Sequence, residues 1–340
     1  MHMADALVSP AVGGTMWAVS AGAVAYSSSR LRAEVDDRRV PLMGVMGAFL
    51  FAAQMINFSI PGTGSSGHLG GGILLAILLG PHAALLAITG VLIVQALFFA
   101  DGGLLALGCN IFNMGVIPAF LVYPLLYKRL AGQDPGGTRL TFAIVVSALV
   151  TLQLGPFAVV LETLFSGLSA LPFTTFLLMM QPVHLAIGLV EGVVTAAVIS
   201  FVYLARPELM HVARRTAAAM VFPMRNLLIA FVCAAVLTGG VVSLVASKDP
   251  DGLEWAITRV TGTAELTSPD TKLHMLLAAI QEKVAFLPDY AFKKPVASEQ
   301  SASARAENRG TSLAGIVGVG ITLVLLIVAG ALLKRGRASL

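Results

Sequence analysis

Nine long runs of apolar residues constrain the fold of this chain more than any other feature. A membrane core about 30 Å thick is crossed by roughly 20 residues of helix. Apolar residues make up 57% of the 340 positions and charged residues only 12%, which is more apolar than a soluble chain of this length needs to be. We therefore expect an all-α polytopic membrane protein with helices at about residues 10–28, 42–59, 69–79, 82–100, 104–127, 140–165, 174–204, 226–246 and 312–333.

Basic residues between the runs predict the direction in which each helix crosses the membrane. Short cytoplasmic loops are rich in Lys and Arg, whereas long loops cross largely regardless of charge. Nine separate helices place every short basic loop on one side if the N-terminus lies outside. Fusing the third and fourth helices across Gly80 and Pro81 would move Lys128 and Arg129 outside. The sequence thus predicts a multi-pass protein of the inner (plasma) membrane, in contact with lipid, with an outer N-terminus and a cytoplasmic C-terminus.

The distribution of polar residues predicts two modules. Residues 1–220 contain seven apolar runs and would form a seven-helix bundle. Residues 221–340 contain two runs joined by a polar outer loop at 247–311. Within that loop, apolar residues recur at helical spacing over about 272–286, which predicts one amphipathic helix.

The first two residues, Met1 and His2, predict a metal chelate. The α-amine of Met1, the amide nitrogen of His2 and its Nδ1 can close adjacent five- and six-membered rings around one divalent ion. One position of the plane then remains for another nitrogen. His68 is the best candidate, because it lies in a glycine-rich loop at 61–72 that falls on the same outer side. Four nitrogens in a plane suit Ni(II) or Cu(II).

Three polar residues could support these ligands without binding the ion. Asp5 is close in sequence to the chelate, although an Asp near a terminus is more often simply solvated. Asn110 and Asn113 lie in the fifth apolar run and could orient the outer loops. Hydrogen bonding between helices is the simpler interpretation of these two asparagines.

An ionisable pair in the seventh run leaves two interpretations open. His184 and Glu191 are seven residues apart and share one helix face. Ionisable residues within a membrane helix often mark a functional site, but these two could equally satisfy each other or neighbouring backbone. Gly188 and Gly192 between and beside them predict a seam for close helix packing.

Missing motifs exclude several classes of function. The chain has no GxxxxGK[ST] sequence to bind ATP, and neither an HExxH nor a GxSxG motif of a hydrolase. Its basic residues are dispersed rather than arranged in a stripe, which argues against nucleic-acid binding. A membrane-embedded metalloenzyme using His2 and His68 is the alternative to a metal-binding transporter subunit. Catalytic metals keep an open position, however, and a plane of four nitrogens favours binding.

Three sequence motifs resemble the substrate-specific membrane component of energy-coupling factor transporters for nickel and cobalt, the CbiM/NikM family. They are the opening MHMADALVSPAVGG, the loop PGTGSSGHLGGG and the stretch LGCNIFNMG. The likeness covers about residues 1–206, with Ala6 where many members have glycine. Pro250 to Glu254 spell PDGLE, which resembles the family's small two-helix NikN partner, here fused in the same chain.

The resemblance implies a function and a ligand set. The Met1 amine, the His2 amide and imidazole, and the His68 imidazole would bind Ni(II) or Co(II) as transported substrate, with no organic cofactor. A transmembrane coupling (T) subunit and two cytoplasmic ATPase subunits would be the partners, and the chain itself would not be an enzyme. The PDGLE-type tail slightly favours nickel over cobalt.

Overall fold

The computed structural model describes residues 2–34, 39–133, 136–169, 171–206, 209, 223–263, 266, 269–293 and 304–335. Met1 therefore lies outside the described residues. The helices are α1 (Pro10–Glu34), α2 (Arg39–Gln54), α3 (Gly72–Leu79), α4 (Pro81–Phe98), α5 (Leu107–Ala131), α6 (Gly137–Ser166), α7 (Phe173–Ala205), α8 (Met224–Gly240), α9 (Gly252–Thr261), α10 (Lys272–Val284) and α11 (Ala304–Arg335). Two strands, β1 (Phe58–Ile60) and β2 (Ser65–Gly67), form an antiparallel hairpin.

This architecture confirms the predicted all-α membrane fold. Each predicted apolar helix has a counterpart among α1 to α8 and α11. By length and composition, six helical segments in the described chain can cross a membrane, namely α4 to α7, α8 with the turn after it, and most of α11. The eight-residue α3 is too short to cross alone, and it is separated from α4 at Gly80, as predicted. The chain is thus a multi-pass membrane protein.

Small residues allow the long helices to pack closely. A Cβ built on Gly192 of α7 would lie 2.9 Å from the Val145 Cα of α6, and one on Gly188 would lie 3.1 Å from the Leu152 Cβ. These contacts confirm the predicted glycine seam. Helix α11 packs against α2, α4 and α8, so the C-terminal helices lie directly against the N-terminal bundle.

The helix α5 is wound as a π-helix over Phe112–Tyr127. Pro118 and Pro124 lie inside it, and proline cannot donate the backbone hydrogen bond that an α-helix needs. The wider winding keeps the helix continuous across both prolines. Its regular first turn carries Asn110 toward the end of the bundle where the N-terminal segment (residues 2–9) lies.

Irregular structure is concentrated at that end, which we call the site end. The second predicted helix stops at Gln54, five residues early, because residues 58–60 pair with residues 65–67 across a turn. Gly62 and Gly64 hold positive φ there, a conformation that glycine adopts without strain. The amphipathic helix predicted over 272–286 is confirmed as α10, whereas α9 was not predicted and α11 begins eight residues before the expected position.

Candidate metal-binding site

Asn110 fixes the N-terminal segment directly after His2. The backbone N–H of Met3 donates to Asn110 Oδ1 at 2.8 Å, and Asn110 Nδ2 donates back to the Met3 carbonyl at 3.2 Å. The Gly103 N–H donates to the same carbonyl at 2.9 Å. Met3 is fully buried. A single amide side chain therefore pairs with both backbone groups of the residue that follows the proposed ligand.

The structure brings His2 and His68 together at the site end. Their ring centroids are 5.1 Å apart and the ring planes are 20° from parallel. The His68 Nδ1 lies 3.1 Å from the Leu69 carbonyl. Because a carbonyl can only accept, this Nδ1 carries the proton and Nε2 keeps the lone pair that a metal requires.

A relay of two buried glutamines sets the proton position on His2. Gln54 Nε2 donates to the Gly70 carbonyl at 2.9 Å, and Gln95 Nε2 donates to Gln54 Oε1 at 2.9 Å. Gln95 Oε1, 3.1 Å from His2 Nε2, must then accept. The imidazole therefore carries its proton on Nε2 and leaves the lone pair on Nδ1. Nδ1 is the nitrogen that the N-terminal chelate needs.

Asp101 faces this nitrogen. Its Oδ1 lies 3.2 Å from His2 Nδ1, and its Oδ2 accepts from the Tyr290 hydroxyl at 2.5 Å. A carboxylate oxygen and an imidazole lone pair are both acceptors, so only a proton or a cation can be shared between them. Burial lowers the pKa of His2, which disfavours the proton. The arrangement suits a metal cation.

Burial also keeps the second imidazole neutral. It lowers the pKa of His68 to about 3, because a charged ring loses its hydration. Only the neutral imidazole has a lone pair for a metal. Both rings are therefore in the binding form at neutral pH.

Glu191 holds the loop that carries His68. Its carboxylate accepts the Gly70 and Gly71 N–H groups at 2.6 and 3.1 Å. Of the two interpretations left open for the α7 pair, Glu191 satisfies neighbouring backbone rather than His184. His184 instead uses Nδ1 to donate to the Met180 carbonyl, 2.8 Å away on its own helix.

The PDGLE sequence joins the C-terminal module to the same loop. Asp251 caps α9 by accepting from the Glu254 N–H, and Glu254 accepts from the Asp251 N–H, which together form a capping box. The carbonyl of Pro250 accepts from the Ser66 N–H at 2.8 Å. Trp255 Nε1 donates to the Thr63 carbonyl at 3.0 Å. The motif is thus a helix start fastened to the hairpin just before His68.

Helix α10 fastens the other side of the site. His274 Nε2 donates to the Val8 carbonyl at 3.0 Å, with the Asp5 carbonyl 3.2 Å away. Gln281 Nε2 donates to the carbonyls of Ala96 and Gly102 at 2.9 and 2.8 Å. The connecting segment between α8 and α11 therefore holds the N-terminal segment, the His68 loop and the chain around Asp101 in place.

The other two predicted supporting residues lie farther along. Asp5 Oδ1 accepts from the Ala106 N–H at 2.9 Å, and burial raises the pKa of Asp5. Asn113 Nδ2 donates to Glu162 at 2.8 Å and lies 3.9 Å from the Met3 sulfur. Both residues hold the N-terminal segment rather than an imidazole.

Sequence reasoning missed Gln95 and Asp101, which contact His2 directly, and Gln54, which acts on His2 through Gln95. Gln54 and Gln95 are isolated amides in otherwise apolar helices, and Asp101 ends the fourth apolar run. Each was a readable signal, since a polar group inside a membrane helix needs a partner. Nothing in the sequence pairs them with His2, however.

A cavity of about 340 Å³ leads to His2. It is bordered by the N-terminal segment, by α9 and by four carboxylate residues, Asp101, Asp251, Glu254 and Asp289. Among the described residues, no three His, Cys, Asp or Glu side chains are placed to hold a metal by themselves. A site here must therefore draw on main-chain nitrogen as well as on imidazole.

The fold places the chain among polytopic membrane proteins, with two imidazoles, His2 and His68, paired at one end of the helix bundle. A family model described as cobalt uptake substrate-specific transmembrane region matches residues 2–209. A second model, the PDGLE domain, matches residues 225–335. The chain belongs to the CbiM family of cobalt uptake proteins, joined to a PDGLE domain, and it is a metal transporter component rather than an enzyme.

Similar proteins agree with this assignment. The chain is 37% identical to a Haloquadratum walsbyi protein provisionally named a metal transport protein, over 62% of this chain and 93% of the relative. It is 32% identical to the cobalt transport protein CbiM of Sorangium cellulosum, over 62% and 94%. It is 29% identical to the fused nickel transport protein NikMN of Rhodobacter capsulatus, over 64% and 66%. A crystal structure of a transition metal transporter matches with a TM-score of 0.54 and 28% identity, over 62% of this chain and 96% of that chain.

Proposed function

We propose that the chain is the substrate-binding component of an energy-coupling factor transporter, which captures Ni(II) or Co(II) outside the cell for delivery to the cytoplasm. Residues 1–220 would form the metal-binding bundle and residues 221–340 the accessory module. The observation that carries the proposal is the placement of two neutral imidazoles, His2 and His68, with ring centroids 5.1 Å apart.

The proposed ligands are four nitrogens. Met1 supplies its amine, His2 its amide nitrogen and Nδ1, and His68 its Nε2. The proton positions set by the Leu69 carbonyl and by the Gln95 relay support this choice. Four nitrogens without an open position bind an ion firmly and leave no place for substrate chemistry.

Acidic residues beside His2 indicate the proposed entry route of the ion. The cavity beside His2 is lined by acidic residues, which raise the local concentration of divalent cations. With the N-terminus outside the inner membrane and the C-terminus in the cytoplasm, this cavity faces the outer compartment. The connecting segment that covers it would stabilise the loaded site.

Energy for uptake must come from partners. Since the chain has no ATP-binding motif, we propose that a transmembrane coupling (T) subunit and two cytoplasmic ATPase subunits drive release of the metal. No nucleic acid and no organic cofactor enter this scheme.

Moving the amine away from His2 tests the ligand set. A variant with three glycines added before Met1 moves the amine out of reach of the chelate; a single added glycine would not do so, because His2 would become the third residue and could form a new four-nitrogen set with the amine and two amides. Calorimetric titration of the purified full chain with Ni(II) should show binding at least a hundredfold weaker. His68→Ala should weaken binding strongly too, because one of four ligands is lost.

His82→Ala is the matched control. His82 lies in α4, where it contacts the Ser27 hydroxyl and two aromatic rings instead of the site. It should bind Ni(II) as the unmodified chain does. Unchanged Ni(II) affinity in the N-terminally extended chain would refute the chelate.

A further inference from the structure

Helix α10 turns an apolar side away from the bundle. Leu273, Leu276, Ile280 and Val284 follow one another at spacings of three or four residues and are 38%, 57%, 40% and 37% exposed. Residues at these spacings share one side of a helix, and we call these four the apolar stripe. A helix on the surface of a soluble protein ordinarily turns such a stripe toward the core. In the described part of the chain, the stripe of α10 instead stays accessible.

Polar side chains make the contact between α10 and the bundle. His274 is 2% exposed and donates to the Val8 carbonyl. Gln281 donates to the carbonyls of Ala96 and Gly102. His274 and Gln281 are seven residues apart and therefore share one side of the helix, roughly a quarter turn from the apolar stripe. Hydrogen bonds thus fasten α10 to the bundle, and the stripe remains available for another partner.

The two ends of this contact place α10 along the membrane surface. Val8 lies two residues before the start of α1, and Ala96 lies two residues before the end of α4. Helix α1 starts and α4 ends at the site end, so α10 lies across the ends of two helices that contact each other. The 18 residues of α4 span about 27 Å, close to the thickness of the hydrocarbon core. Helix α10 therefore lies at the boundary between lipid tails and water.

Apolar surface continues from the stripe to the end of a membrane-spanning helix. Phe286 follows α10, is 43% exposed, and has its ring centroid 5.7 and 5.8 Å from those of Phe98 and Phe99 at the end of α4. Lys272 and Lys283 are exposed on the side of α10 that faces away from the bundle. Long lysine side chains can keep their charge in water while their stems cover apolar surface. An apolar stripe with lysines beside it is typical of helices that lie in the headgroup region of a membrane.

We infer that α10 is an interfacial membrane helix, whose apolar stripe is covered by the lipid leaflet at the site end. Lipid rather than another protein is the partner, because the stripe lies at headgroup depth and continues to the end of α4. Through His274 and Gln281, α10 holds the N-terminal segment and the chain beside Asp101. The leaflet therefore helps to keep the connecting segment over the site. These contacts do not involve the proposed metal ligands.

Nitroxide labels on single cysteines test the position of the stripe. In a Cys233→Ala chain, whose other cysteine, Cys109, is buried, Ile280→Cys places a label on the stripe. Glu282→Cys, also at an exposed position, places one on the opposite side of α10 as the matched control. The purified full chain is reconstituted in nanodiscs of phosphatidylcholine and phosphatidylglycerol. Oxygen concentrates in lipid and chromium oxalate stays in water. The ratio of oxygen to chromium oxalate accessibility, measured by electron paramagnetic resonance, should therefore be at least about fivefold higher at position 280 than at 282.

Two results of this measurement would overturn the inference. Equal ratios at the two positions would place the stripe in water, and low accessibility of position 280 to both reagents would show that protein covers it. Leu276→Ser with Ile280→Ser tests the consequence for the site, because it removes lipid contacts and leaves His274 and Gln281 in place. In nanodiscs, amide hydrogen exchange of the N-terminal segment should be at least about threefold faster in this variant and unchanged in Glu282→Ser. Equal exchange in the two variants would refute the role of the leaflet.

Discussion

Replacing Gln95 by leucine tests whether the glutamine relay controls metal binding. Gln95 is fully buried, accepts from His2 Nε2 and donates to Gln54. Leucine fills a similar volume without either hydrogen bond. Two buried groups then lose a partner, at about 1–3 kcal/mol each. Without the Gln95 Oε1 acceptor, nothing keeps the His2 proton on Nε2. The proton can then move to Nδ1, where it would block the nitrogen proposed to bind the metal.

The expected effect on affinity follows from comparable sites. Groups that hydrogen-bond a metal-binding histidine typically contribute 10–100-fold to affinity, so Gln95→Leu should weaken Ni(II) binding by about this factor. Gln54→Leu leaves the contact between His2 and Gln95 but frees the Gln95 amide to turn. Gln54→Leu should therefore weaken Ni(II) binding by roughly three- to tenfold. A tenfold loss of affinity corresponds to about 1.4 kcal/mol.

Titration calorimetry on the purified full chain measures both variants against Gln153→Leu. Gln153 bonds backbone carbonyls of α6 and α7 without contacting His2, so its variant should bind Ni(II) normally. An effect of Gln95→Leu without any effect of Gln54→Leu would reduce the relay to a single contact. Less than a threefold loss in Gln95→Leu would refute the argument as a whole.

Three further predictions concern pH, packing and the N-terminal segment. Because burial lowers the pKa of His68 to about 3 and also lowers that of His2, only the amine and the amide release protons on binding. Ni(II) affinity should then fall about a hundredfold per pH unit below the amine pKa, and a flat profile in pH-dependent titrations would contradict amide coordination. Gly252→Ala should lower the free energy of unfolding by about 1–3 kcal/mol through overpacking in denaturation experiments, whereas Gly14→Ala, which has no neighbour within 4 Å, should not. His274→Ala removes the donor to the Val8 carbonyl, so amide hydrogen exchange in the N-terminal segment should be about tenfold faster, and unchanged exchange would show that α10 does not anchor it.

The C-terminal module covers the candidate site of the bundle within the same chain. The hairpin pairs with Pro250, and the chain beside Asp101 bonds to α10 and to Tyr290. Residues on both sides of the cavity beside His2 are therefore positioned by a segment that follows the bundle in sequence. Fusion keeps this segment at high local concentration without a separate binding step.

The sequence by itself determined the membrane class and the positions of the long helices, and it led to the prediction of an N-terminal chelate. Apolar run length follows directly from bilayer thickness, and the chelate rings join atoms of adjacent residues. The amphipathic pattern fixed α10 for the same reason, since helical spacing depends only on near neighbours. We selected His68 because the distribution of basic residues between the helices places its loop on the same side of the membrane as His2.

Only the tertiary structure decided which groups surround the imidazoles. Gln54, Gln95, Asp101 and Asp251 reach the site from separate parts of the chain. Their meeting depends on how closely the helices pack and on which polar groups remain to be satisfied within an apolar interior. The same packing places the Glu191 carboxylate against backbone N–H groups of the His68 loop, whereas the His184 Nε2 has no hydrogen-bond partner among the described residues. The sequence placed both residues on one helix face and could not predict this difference.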